Sequence, residues 1–294
     1  MDMALPLGLS IVDAHTHAFS PDVLDDRDLM IERDYWFGTL YRNPNALAVD
    51  ANAVLASSEQ SGISSTILCG FPWSDEGRCR EENAYLARSA AASRGKLSWL
   101  GTVVPGDQHA AQDAEWCLQH GALGIGELNA DGQAAPLEQR HVWDSLVEVM
   151  TSAQRPIMLH SSEPVGHDYP GKGTATPVRL VEWLTCYTEL DVVLAHWGGG
   201  LPFFELMPEV HAVTRRVSYD CAASTYLYRF EVFSRVIDLV GAERVIWGSD
   251  YPVLKQGPFL RKSVAALRTD DERRAVLQDN AMRVYRMIDK VETK

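Results

Sequence analysis

His15 and His17 are separated by one residue at the end of an apolar run, in Asp13-Ala14-His15-Thr16-His17. Residues two apart on a strand point to the same face, so on a strand both imidazoles could meet one ligand. The pair alone says little, but its placement recurs. His160 ends the apolar run 156–160, His196 ends 192–196 and Asp250 ends 245–250. Such groups are costly inside a packed core, whereas strand ends at the mouth of an α/β barrel are where active sites lie. Three histidines and a carboxylate make a reasonable site for Zn2+ or a similar divalent ion, with a position left for water or a substrate oxygen. An ion there lowers the pKa of bound water and polarises a substrate. His196 could instead stand off the ion as acid, base or electrostatic stabiliser, because its charge changes near neutral pH. Asp250 could bind the ion, accept a proton, or do both in turn. The competing reading is a set of hydrogen-bonded polar groups with a structural role only.

Eight short apolar runs would position these side chains: 10–14, 66–71, 99–104, 122–128, 156–160, 192–196, 216–221 and 245–250. They are rich in Val, Ile and Leu and do not strictly alternate, as parallel strands buried on both faces do not. Helical patterns lie between them at 51–61, 81–93, 110–120, 138–153, 177–188, 202–213 and 231–240, with two more near 258–267 and 271–288. Thr176 stands where a cap to the helix at Pro177 is needed, and Gly62, Gly95, Gly121 and Gly241 follow helical stretches. Alternating β and α segments imply a parallel sheet, closed as a (β/α)8 TIM barrel, with an open doubly wound sheet as the alternative. No Pro/Gly/Ser-rich linker divides the chain, so residues 1–294 read as one domain. The excursion 20–50 after the first strand should lie over the barrel mouth.

The 294 residues suffice for one large core. Net charge is −13, without a long Lys/Arg cluster, which argues against nucleic acid as a partner. No apolar run approaches the roughly 20 residues that span a bilayer, and Met1 to Ser10 lacks the features of a signal peptide. Five scattered cysteines, without a C-x-x-C pair, read as reduced thiols of a cytoplasmic protein.

Taken together, Val12-Asp13-Ala14-His15-Thr16-His17, Leu159-His160, Ala195-His196-Trp197-Gly198-Gly199-Gly200, Gly248-Ser249-Asp250-Tyr251-Pro252 and Asp279-Asn280-Ala281 resemble the amidohydrolase superfamily. The nearest group within it is the one related to aminocarboxymuconate semialdehyde decarboxylase. The resemblance covers nearly the whole chain in order. It implies a barrel with a mononuclear Zn2+ or Mn2+ site and either hydrolysis or non-oxidative decarboxylation. By resemblance His15, His17, His160 and Asp250 match metal ligands, and His196 matches a histidine near the substrate. Glu127, in Gly124-Ile125-Gly126-Glu127-Leu128, is a departure. Other branches of the superfamily use a strand-end Glu as a ligand, so Glu127 could be an extra metal ligand, a base, or a structural partner. No Lys ends this strand, which favours one metal over two.

The loop 161–173 follows His160 and should border the site, making Glu163, His167, Tyr169 and Lys172 candidates for substrate contact. Trp73 and Trp197 belong to a set of aromatics that suits a flat, cyclic or unsaturated ligand. Arg42 and Lys172 could hold a substrate carboxylate. For each of these, packing or an ordinary ion pair is the competing reading. The first expectation is therefore a metal-dependent hydrolase of a small amide, lactam, lactone or ester, with Asp250 and His196 as catalytic residues. The alternative is a decarboxylase of an aromatic or unsaturated acid. A non-catalytic metal-binding barrel is a third reading, against which the full set of polar strand ends argues. A small molecule, cyclic or carboxylated, and a second copy of the chain in a homodimer are the expected partners, and no membrane is.

Overall fold

A computed structural model describes residues 8–287. Eight parallel strands follow in chain order: β1 (Val12–His17), β2 (Ser65–Cys69), β3 (Leu97–Trp99), β4 (Ile125–Leu128), β5 (Ile157–Leu159), β6 (Val192–Leu194), β7 (Val217–Asp220) and β8 (Val245–Ile246). Ladders join β1 to β3 and β4 to β8, each strand beside its sequence neighbour. Bridges Gly101–Ile125 and Thr16–Tyr251 close the two gaps. The N–H of Ala14 donates to the Trp247 carbonyl at 3.1 Å, and that of His17 to the Tyr251 carbonyl at 2.7 Å. The sheet has no free edge, which makes it the expected (β/α)8 barrel and rules out the open sheet.

Two register irregularities decide which side chains enter the barrel. In β1, Val12 pairs with Ser65 and Asp13 with Thr66, but Thr16 pairs with Leu68 and His17 with Cys69. One extra residue lies between Asp13 and Thr16, and a single-residue insertion exchanges the faces of a strand. Val12 and Ala14 therefore point inward with Ile67 and Cys69, and His15 and His17 point inward above them. Without the bulge both histidines would share the outward face of Asp13. The same device recurs in β4, where Ile125 pairs with Ile157 and Leu128 with Leu159. Ile125 and Leu128 both join the outer core, and the extra residue between them lets Glu127 turn inward.

Val12, Ala14, Ile67, Cys69, Met158, Val193 and Ile246 fill the barrel interior, and Ala281 and Tyr285 pack against them. Outside, the helices Ala51–Gln60, Glu76–Ala92, Ala110–Gln119, Arg140–Ser152, Pro177–Cys186, Glu231–Val240 and Gln256–Ala266 cover the strands, burying Leu86, Cys117, Leu146, Leu180, Phe233 and Phe259. Three expectations change. The pattern at 202–213 is a tight turn over His196–Phe204 followed by the short helix Pro208–Val213. Four consecutive residues, Trp197 to Gly200, have φ between 58° and 91°. At Gly199 a Cβ would collide with the Ser162 carbonyl; a tight helical turn runs on to Phe204 and breaks before Pro208, so one continuous helix over 202–213 does not form. The last helix is broken into Asp270–Arg274, a wider turn over Ala275–Asp279, and Asn280–Val284, with the Asn280 amide donating to the Ala242 and Val245 carbonyls, each at 2.8 Å. Thr176 gives no side-chain cap to the Pro177 helix. The stretch before Gly8 and the expected helix end at Ile288 lie outside the described residues. Among the described residues no helix is long and apolar enough to cross a membrane.

The excursion forms three short helices, Pro21–Asp25, Arg27–Arg33 and Tyr35–Tyr41. Its Phe37 and Tyr41 pack with Phe19, just after β1, and with Phe71 and Trp73 from the loop after β2. Asp34 joins the two: Oδ1 accepts the Phe37 N–H at 2.8 Å, and Oδ2 accepts the Ser74 N–H at 2.9 Å and its hydroxyl at 2.8 Å. Asp34→Ala removes both a helix cap and this tether and should cost about 1–2 kcal/mol of local stability. Hydrogen exchange is expected to rise roughly tenfold in the Tyr35–Tyr41 helix, with the barrel strands unchanged. Equal exchange in both proteins would contradict this role for Asp34.

Candidate metal centre

At the C-terminal ends of the strands lie His15, His17, Glu127, His160, His196 and Asp250, all at most slightly exposed. His15 Nε2 is 3.1 Å from His17 Nε2, 3.5 Å from Glu127 Oε2 and 3.7 Å from Asp250 Oδ1. His17 Nε2 is 3.5 Å from Glu127 Oε2 and 3.6 Å from Asp250 Oδ1. Ligands held 2.0–2.2 Å from a tetrahedral ion are separated by about 3.3–3.6 Å. His15, His17 and Asp250 lie at a spacing that could hold a divalent ion, with Glu127 beside the two imidazoles.

The surrounding hydrogen bonds orient these donors. His15 Nδ1 is 2.7 Å from Asp220 Oδ2, and the other oxygen of Asp220 accepts the backbone N–H groups of His196 and Ala222, each at 2.9 Å. His15 Nδ1 thus donates to Asp220, which turns Nε2 toward the cluster, where it can ligate an ion. Asp13 joins β1 to the turn that carries Asp250. Its oxygens accept the Ser249 N–H at 2.9 Å, the Ser249 hydroxyl at 2.6 Å and the Gln256 amide at 2.8 Å. Asp250 itself sits at φ 63°, and its N–H donates to the His15 carbonyl at 2.8 Å. A left-handed, non-glycine residue of this kind persists only where its surroundings determine it. Gly248 makes room, because a Cβ there would stand 2.5 Å from that of His15.

Burial favours the neutral form of Glu127, yet the imidazoles of His15 and His160 hold its carboxyl well below the usual carboxylate range. Burial lowers His196 as well, but Glu127, Asp250 and Asp220 push it up to about 9. His15, likewise desolvated, is held well above its ordinary value by Asp220. The cluster therefore attracts positive charge strongly. Cys69, below it, has its thiol pushed up to about 12 by burial and is no nucleophile at neutral pH.

The expected substrate residues are not all brought to this cluster. Arg42 is largely exposed and paired with Glu32 at 2.8 Å. Trp73 is buried among Phe37 and Phe71. Trp197 is fully buried against Phe233, its indole donating to Ser224 at 2.7 Å. Tyr169 donates to Glu163 at 2.8 Å, Lys172 donates to the His167 carbonyl at 3.1 Å, and the His167 ring lies 5.6 Å from that of Tyr169. These four organise the loop after β5. Aromatic groups that do meet the cluster include Trp36, whose ring is 5.7 Å from that of His160, and Phe71, 6.5 Å from that of His17. Asp220 escaped the sequence reading although it ends β7 as the other polar residues end their strands. The same signal would have found it.

The family model described as amidohydrolase matches residues 12–287. No curated protein matches the chain. Among solved structures, 5-carboxyvanillate decarboxylase from Novosphingobium aromaticivorans, complexed with manganese and 4-hydroxy-3-methoxy-5-nitrobenzoic acid, is similar over 95% of this chain and 97% of its own, with TM-score 0.76 and 18% identity. The 2,6-dihydroxybenzoate decarboxylase from Rhizobium matches over 95% and 99%, with TM-score 0.70 and 17% identity. A putative amidohydrolase from Staphylococcus aureus matches over 94% and 99%, with TM-score 0.69 and 17% identity. At these identities the likeness is one of fold.

Proposed function

Because the chain belongs to the amidohydrolase family, we propose that it is a divalent-metal-dependent decarboxylase of a small aromatic or unsaturated carboxylic acid. One observation carries this reading: aromatic rings, Trp36 and Phe71, flank a metal-binding cluster. Neighbouring folds that hold manganese with a nitrobenzoic acid support it. His15, His17 and Asp250, with Glu127 beside them, would hold the ion. When bound it supplies Lewis-acid stabilisation to substrate oxygens. Trp36 and Phe71 would orient the planar acid and keep water away from it. Asp250 would give a proton to the carbon that bears the carboxylate. A C–H bond forms there, the C–C bond to the carboxylate breaks with its electron pair left on the ring, CO2 departs, and Asp250 regains a proton from water.

Glu127 favours a second reading, hydrolysis of an amide, lactone or ester, since a carboxylate inside the cluster could take a proton from an attacking water. Incubating the manganese- or zinc-loaded protein with hydroxybenzoates, unsaturated acids, lactones and amides separates the two. The expected result is CO2 released in step with the decarboxylated product. Turnover of lactones or amides with no CO2 from any acid would replace the first reading by the second.

A further inference from the structure

The end of the barrel opposite the histidine cluster carries a cavity of about 530 Å3. It lies where β6 and β7 begin, at Val192 and Val217, and the last helix borders it through Arg283 to Arg286. One residue type dominates its lining: Arg215, Arg216, Arg244, Arg283 and Arg286 all reach it. Asp191 and Glu243 are the acids there. On a chain of net charge −13, this gathering of guanidinium groups is a local reversal of sign.

The partners of each guanidinium decide what remains for a ligand. Arg244 is committed to the fold. It forks onto Glu205 at 2.6 and 2.8 Å and donates to the Val217 and Thr214 carbonyls at 2.8 and 2.7 Å. Arg216 pairs with Asp191 at 2.9 Å. The other three have no carboxylate partner among the described residues. Arg283 donates to the Glu243 carbonyl at 2.5 Å and Arg286 to the Gln154 side-chain oxygen at 3.0 Å. Both acceptors are neutral and leave the charge uncompensated. The Arg215 side chain has neither hydrogen bond nor ion pair among the described residues. Beside the cavity, burial and then the charge of Arg286 hold Arg155 below its ordinary value, and its guanidinium too donates to a neutral acceptor, the Tyr285 carbonyl, at 2.7 Å.

Arginines spread over a convex surface are simply solvated. These face one concave volume from two separate segments, the approach to β7 and the last helix, so a single small molecule can meet several of them. The volume is that of a small-molecule site. The planar fork of a guanidinium matches two oxygens of a phosphate or carboxylate. We infer that this cavity binds a small, multiply charged oxyanion, a phosphate monoester or a di- or tricarboxylate, with Arg215, Arg283 and Arg286 supplying the uncompensated charge. The site is distinct from the metal centre. Val217, in the cavity wall, begins β7, and Asp220, which meets His15, ends it, so about 10 Å of strand lies between them. The inference rests on neither the metal nor the reaction.

The test titrates inorganic phosphate calorimetrically into Mn2+-loaded protein freed of excess ion, at constant ionic strength set by chloride so that screening does not vary. Saturation at one phosphate per chain is expected, with the same stoichiometry and affinity in metal-free protein. Arg215→Gln and Arg283→Gln should each weaken binding roughly tenfold, the worth of one charge-assisted hydrogen bond. Both side chains are exposed, and unchanged near-ultraviolet dichroism will show that the variants are folded. Displacement of phosphate by succinate would assign the cavity to carboxylates, and displacement by phenyl phosphate but not succinate to phosphate monoesters; either upholds the site. Binding that needs the metal, or that both arginine variants leave intact, overturns the inference by placing the anion elsewhere. No saturable binding by about 10 mM phosphate overturns it as well.

Discussion

Asp250→Asn is expected to lower kcat by about 100- to 10,000-fold, the usual worth of a positioned acid or base. The substitution is chosen to preserve everything else. Asp250 lies at φ 63°, a region that Asn enters more readily than other side chains, and its backbone bonds to the His15 carbonyl and the Val253 N–H do not involve the side chain. An amide oxygen can still reach an ion at the place of Oδ1, so metal content should fall less than turnover does. What Asn cannot do is carry the proton. The measurement is kcat at saturating Mn2+, with metal content determined on the same sample. Activity within tenfold of the wild type at full metal occupancy would remove Asp250 from proton transfer and leave it a ligand only.

The barrel was legible in the sequence because its strands are buried on both faces and separated by amphipathic helices, so each apolar run stands apart from its surroundings. The inward aim of His15 and His17 was only half legible. Their mutual spacing puts them on one face, but which face depends on the bulge between Asp13 and Thr16, and no residue type announces it. The same holds for Glu127 in β4. A carboxylate flanked by Ile125 and Leu128 suggests burial, whereas the division of its two oxygens between separate histidine pairs exists only in three dimensions. The candidate substrate contacts were least legible. Trp197 and Trp73 are adjacent in sequence to the right strand ends, yet their rings turn into the outer core and the lid packing, because a large apolar side chain gains most by complete burial. Trp36 reaches the cluster from an excursion whose fold follows from tertiary packing and caps such as Asp34, which local periodicity does not encode.

Asp220→Asn should weaken binding of a divalent metal ion by about 10- to 100-fold, the usual cost of losing a partner that orients a ligating histidine. Asp220 contacts His15 Nδ1 and the His196 turn, and would act through them as a positioning residue. As an anion it accepts from His15 Nδ1 and from two backbone N–H groups. Asn can serve the backbone donors with its oxygen, but its amide nitrogen then faces His15 Nδ1 as a second donor. The favourable response is for His15 to move its proton to Nε2, which removes the lone pair the ion needs. Because the change is one of tautomer rather than of shape, near-ultraviolet dichroism should be unaltered, and excess Mn2+ should recover much of kcat by mass action. A merely structural role predicts the reverse pattern: altered dichroism and a loss that added metal does not mend. An unchanged Mn2+ affinity would show that His15 keeps its ligating nitrogen without the carboxylate, and the account of Asp220 would fail.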